Sequence, residues 1–215
     1  MTVALSERWL VASFGQPVRA CSWAIVGGGF AEIDHVAWRE VRDADLRPPV
    51  DARRFLLDSL RERRLTRAVG LLTSRRVATY SEARVEARGV EARCLATVGL
   101  GNALRAGDPA GLAGRIGTIN LLVHLDAPLS DEALLEASAI ATEAKAAVVL
   151  EAGVLSRQSG RPATGTGTDC TVVTSAGRSS ASYAGKHTTI GSLVGLAVER
   201  AVFEGVARWL AEHAG

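Results

Sequence analysis

The chain predicts one layered domain of the α/β or α+β class, a mixed β-sheet packed with two or three long helices. Three observations predict it. Short apolar runs with strand character make up about half of the first 126 residues. Two long stretches in the second half carry a helical apolar period. No long linker, internal repeat or low-complexity tract divides the 215 residues, so residues 1–215 are read as a single domain.

Each element has its own signal. "RWLVASF" and "VRACSWAIV" read as two short strands parted by the turn signal Gly15, Gln16 and Pro17. "HVAWREV" alternates and reads as a third. Pro48 and Pro49 exclude a regular element and make a connector. Asp51 is placed to cap a helix over "ARRFLLDSLRERRL". "AVGLLTS" reads as a buried strand whose end presents Thr73 and Ser74. "VATYSEARVEA" and "VEARCLATVGL" read as strands paired around Gly89. A glycine-rich loop over 101–117 leads into the strand "TINLLVHLD". Ser130 caps a helix from Asp131 to about Val149, with acids in its first turn as the helix dipole favours. "TDCTVVTSA" is a last short strand. A final helix is expected from near His187 to about Glu212, with one broad apolar stripe.

Composition narrows the function. A net charge of +2, spread along the chain, is too small for a nucleic-acid footprint. The cluster "RERRLTR" reads as a solvated helix face. No apolar run reaches the roughly 18 residues of a membrane span, and the N-terminus lacks signal-peptide character. Cys21, Cys94 and Cys170 show no paired spacing, which suits a reduced, cytoplasmic protein. The sequence leaves a homo-oligomer open. Metal-ligand spacing is lacking: the four histidines are scattered at 35, 124, 187 and 213, so no protein-held metal is expected. Of the 25 basic residues 23 are Arg, and the two lysines are Lys145 and Lys186; the two asparagines are Asn102 and Asn120. In a chain that uses Arg wherever either cation will serve, a retained Lys is a candidate for a task needing a compact amine.

Two stretches stand out, "ATGTGTDC" (Ala163–Cys170) and "YAGKHTTIG" (Tyr183–Gly191). Gly165 and Gly167 would let backbone N–H groups approach a ligand, while Thr166 and Thr168 add hydroxyls. The loop has neither Walker nor G-x-G-x-x-G spacing. Asp169 opens an apolar strand and must find partners if buried; it is read as a general base, as an orienter of His187, or as a cap of its own loop. His187 is a base candidate or a helix cap. Lys186 could stabilise an oxyanion or face solvent. Lys145 shares a helical face with Leu134, Ser138, Ala141 and Val148, so it either pairs with a buried acid or snorkels past the helix edge. His35, His124, His213 and Cys170 read as ordinary structural or surface residues. The two facing loops would then form a hydrolytic centre or an anion cradle.

"GLLTS" (70–74), "TVGLGNA" (97–103), "GTIN" (117–120), "ATEAK" (141–145), "ATGTGTD" (163–169) and "AGKHTTIG" (184–191), in this order, together with "CSWAIVGGG", resemble the adenosylcobinamide amidohydrolase family. Both Lys and both Asn of the chain fall inside these segments. The resemblance implies hydrolysis of the amide that joins the aminopropanol arm to the corrin ring of adenosylcobinamide. The products are adenosylcobyric acid and 1-amino-2-propanol, in cobalamin salvage. The corrinoid is then the substrate, and no cofactor is expected. The resemblance brings no settled mechanism; read from the residues themselves, Asp169, His187 and Lys186 are the catalytic candidates, while Gly165, Thr166, Gly167, Thr168, Asn102, Asn120, Ser74 and Lys145 are the substrate-binding ones. Trp23 or Trp38 could stack on purine or corrin. A non-catalytic corrinoid- or nucleotide-binding module, and a self-processing amidase with a Thr nucleophile, are the competing readings.

Overall fold

A computed structural model of the chain describes residues 1–111, 116–177 and 183–214. Ten strands and three α-helices occur among them: β1 (Thr2–Ser6), β2 (Trp9–Ser22), β3 (Gly29–Glu40), α1 (Ala52–Glu62), β4 (Ala68–Thr73), β5 (Ser81–Ala87), β6 (Val90–Val98), β7 (Ala103–Leu104), β8 (Ile119–Leu125), α2 (Asp131–Glu151), β9 (Gly165–Thr166), β10 (Cys170–Ser175) and α3 (Thr189–Glu212). The main sheet runs β4-β3-β2-β10-β8-β6-β5, with β1 also on β2; β7 and β9 form a separate two-stranded ribbon. The sheet is mixed. β10 runs parallel to β8 and β4 parallel to β3, and the other pairs are antiparallel. This is the layered mixed-sheet domain the apolar runs predict.

Several expected boundaries differ: β1 is additional, β2 stops at Ser22 and not at Val26, and β3 begins at Gly29, six residues before His35. Gly15, Gln16 and Pro17 do not end a strand; β2 continues through them with a register shift between Ser13 and Val18. The irregularity lets one strand serve two neighbourhoods. Residues 9–13 pair with β1 and β3, while 19–22 pair with β3 and β10. Within the glycine-rich loop, residues 112–115 lie outside the described residues, and 103–104 form β7.

The side-chain period of two sorts the core. Leu121, Val123, Leu125 and Val173 point to one face, where they meet Leu134, Ala141, Val194 and Val198 of α2 and α3. Leu95, Leu122 and Val172 point to the other and meet Val36, Trp38, Val69 and Leu71. The sheet therefore turns back on itself, β3 and β4 lying over β6, β8 and β10. Trp9, Ala37 and Ala68 face outward beneath Leu56 and Leu60 of α1. The order of layers is helices, sheet, sheet, helix.

The caps follow local chemistry. Asp51 accepts from the Arg54 N–H at 2.6 Å and Ser130 from the Ala133 N–H at 3.2 Å. The last helix is capped by Thr188, whose Oγ1 accepts from the Gly191 N–H at 3.0 Å, so His187 is not its cap.

Candidate active site

The head of β10 is where the layers meet a cleft. β10 begins at Cys170, beside Asn120 of β8 in parallel register, so Asp169 emerges at the mouth of two adjacent parallel strands. A cleft of about 540 Å³ opens there. Its walls are Gly167 to Cys170, Gly117 and Thr118 with Asn120, the end of β4 from Gly70 to Ser74, and an apolar rim of Trp23, Ile25 and Ile116.

Asp169 is almost wholly enclosed. Its Oδ2 accepts from the Lys145 ammonium at 2.5 Å and from the Thr166 N–H at 3.0 Å. Its Oδ1 accepts from the Thr166 hydroxyl at 2.5 Å and from the Ile119 N–H at 3.0 Å. A carboxylate offers about four lone-pair sites, and all four are engaged. The Lys145 and Asp169 side chains are 9% and 11% exposed. The inward face predicted for Lys145 is real, and of its two readings the buried acid is the one realised.

This clasp explains Gly165. A Cβ there would lie 2.2 Å from Asp169 Oδ2 and 2.6 Å from Lys145 Nζ, so only glycine lets the backbone pass the ion pair. Gly167 passes less closely over Asn102, whose Nδ2 would lie 2.9 Å from an added Cβ. Asn102 is buried, and its carbonyl accepts from the Gly167 N–H at 3.3 Å. It braces the loop from beneath and does not line the cleft.

Asn120 does line the cleft. Its Nδ2 donates to the Leu72 carbonyl at 2.7 Å, bridging the two sheet layers at the cleft floor. Thr118 was not singled out from sequence, yet its hydroxyl lies 2.9 Å from the Thr168 carbonyl, which accepts from it, and 3.2 Å from Asn120 Oδ1. The available signal was its place two residues before Asn120 in "GTIN", hence on the same strand face. Thr168 donates its hydroxyl to the Gly117 carbonyl at 3.0 Å. Ser74 is an exposed residue of the wall.

Of the two tryptophans proposed for stacking, Trp38 is fully buried in the inter-sheet core and cannot reach a ligand. Trp23 is 51% exposed at the rim, with its indole N–H held by the Asp169 carbonyl at 2.8 Å. Cys170 lines the cleft, but burial pushes its thiol up to about 11, so at neutral pH it stays protonated and non-nucleophilic.

The expected meeting of the "GTGTD" and "GKH" loops is not found. Lys186 is exposed and pairs with Glu143 of α2 at 2.5 Å, and the Ala184 N–H donates to Glu136. Lys145 lies nine residues further along α2 than Glu136, about 13 Å along the axis. His187 is exposed beside Gly185 and is not among the partners of Asp169. The physical reason is the face of α2: Glu143 lies two residues before Lys145 and so projects about 200° away around the helix, which holds Lys186 on the exposed face while Lys145 points inward to Asp169. Among the described residues no group of three or more His, Cys, Asp or Glu gathers to hold a metal ion, and no helix is long and apolar enough to cross a membrane.

Comparison with known proteins adds four findings. The family model described as CbiZ, adenosylcobinamide amidohydrolase, matches residues 1–214. An uncharacterized protein of Methanocaldococcus jannaschii is 37% identical over 94 residues, 43% of this chain and 37% of the relative, so the match spans little more than a third of that protein. Among solved structures, a protein of Pyrococcus horikoshii OT3 aligns over 95% of this chain and 77% of its own, at 16% identity and a TM-score of 0.48. The L-aminopeptidase D-Ala-esterase/amidase of Ochrobactrum anthropi, described as a variant of the Ntn hydrolase fold, aligns over 94% and 77% at 15% identity and a TM-score of 0.41.

Proposed function

The chain belongs to the adenosylcobinamide amidohydrolase family, and from that premise we propose that it hydrolyses the amide between the aminopropanol arm and the corrin ring of adenosylcobinamide. The family match over residues 1–214 carries the reading. The cleft supports it, because an apolar rim suited to a macrocycle borders the enclosed carboxylate–ammonium pair.

The reaction needs an attacking oxygen, a proton acceptor and donors for the oxyanion. Asp169 is the acceptor in this proposal. Thr166 is the route to it, its hydroxyl already 2.5 Å from Oδ1, and Lys145 orients the carboxylate from the other oxygen. Water held on the Thr166 oxygen attacks the amide carbon. Its proton passes through the hydroxyl to Asp169 and on to the departing nitrogen as the C–N bond breaks. Thr118, Thr168 and Asn120 bind the polar groups around the scissile amide. Trp23 supports the flat macrocycle. His187 and Lys186 take no part in these steps.

The test is release of 1-amino-2-propanol from adenosylcobinamide by the purified chain. Asp169→Asn and Thr166→Val, assayed well below their unfolding temperatures, should each lose about 10²- to 10⁴-fold in kcat. Stoichiometric binding without release at any pH would make the protein a binding module. Intact-mass detection of cleavage before Thr166 or Thr168 would instead support self-processing.

A further inference from the structure

The cleft does not end at Ser74 and Ile116. Both residues also line a second, adjoining groove of about 860 Å³, bounded by the 73–75 and 99–101 loops and by the last turns of α3. Its chemistry differs from that of the cleft. Two guanidiniums, Arg75 and Arg157, are offset by two carboxylates, Asp43 and Glu212. Trp209 and His213 form a stacked pair on its wall, ring centroids 4.1 Å apart and 14° from parallel.

The Arg75 side chain is only 10% exposed and ion-paired to Glu212, so it is held in the wall of the groove.

We infer that this groove is a nucleoside subsite, holding the adenosyl group of the substrate while the amide lies at Asp169. The inference rests on the reaction proposed above. Balanced charge suits an uncharged ligand and argues against a phosphate. The aromatic stack offers the exposed face of His213 to a purine. The carboxylates of Asp43 and Glu212 accept ribose hydroxyls. The shared residues Ser74 and Ile116 make the two spaces one continuous trough, so a substrate larger than the cleft can lie across both.

The test uses His213→Ala and Asp43→Asn, both exposed positions whose loss should not unfold the chain. Each is assayed on adenosylcobinamide and on cobinamide lacking the adenosyl group. Losing one stacking partner weakens base binding by roughly tenfold. KM for the adenosylated substrate should therefore rise about tenfold with kcat near that of the parent, while KM for the other form stays put. Equal changes for both substrates, or none for either, overturn the subsite. Calorimetry with 5′-deoxyadenosine provides a readout independent of the reaction. Binding by the parent that His213→Ala weakens supports the groove even if no aminopropanol is ever released. No binding at millimolar nucleoside counts against it.

Discussion

Consider a double-mutant cycle on Lys145 and Asp169. The two side chains are 9% and 11% exposed, with Nζ 2.5 Å from Oδ2. Asp169→Asn preserves shape but leaves the ammonium buried without its counter-charge, and it turns one acceptor that receives two donors into a donor. Breaking a buried pair from one side costs about 3–5 kcal/mol. For a chain of this size each kcal/mol lowers Tm by roughly 2–4 °C, so a loss of about 10 °C is expected. Lys145→Met should cost less, about 2 kcal/mol, because the carboxylate keeps the Thr166 N–H, the Thr166 hydroxyl and the Ile119 N–H. The double variant should be more stable than the sum of the singles implies, with a coupling of about 2 kcal/mol. Urea unfolding of the four proteins measures all of this. Single effects that simply add, within about 0.5 kcal/mol, would mean that the pair is not coupled and that the clasp does not hold the loop.

Three further outcomes can be checked. Gly165→Ala should cost stability and activity together, since its Cβ would strike Asp169 Oδ2; a variant as stable and active as the parent would show that the clasp can move. His124 is held neutral by burial, its pKa lowered from 6.5 to about 4. The unfolded chain thus takes up a proton that the native one refuses. Stability should fall by about 2–3 kcal/mol as pH drops from about 6.5 to about 4, and His124→Gln should flatten that slope in acid unfolding curves. Thr188→Ala should lose about 1 kcal/mol as a cap, whereas His187→Gln should leave Tm and kcat near those of the parent; a large kcat loss in His187→Gln would return that residue to the chemistry.

Much of this was legible from residue order alone, wherever the cause is local. Alternating or continuous apolar runs mark β3, β4, β6 and β8, because strand burial repeats every two residues. Asp51 and Ser130 announce helix starts because a cap bonds to an N–H three residues on. The inward face of Lys145 follows from helical spacing, and the scarcity of Lys and Asn drew notice to Lys145, Asn102 and Asn120, which lie in or beneath the site, and to Lys186, which does not. Tertiary structure decided the rest. Spacing cannot say that Lys145 on α2 meets Asp169, 24 residues later, nor that Glu143 holds Lys186 on the opposite face of the same helix. Nor can it say that the sheet turns over so that Asn120 reaches the Leu72 carbonyl, or that Trp38 is sealed between layers while Trp23 stands at the rim. These depend on the packing of layers distant in sequence, where the energy of burying apolar faces, not the preference of any short segment, selects which side chains meet.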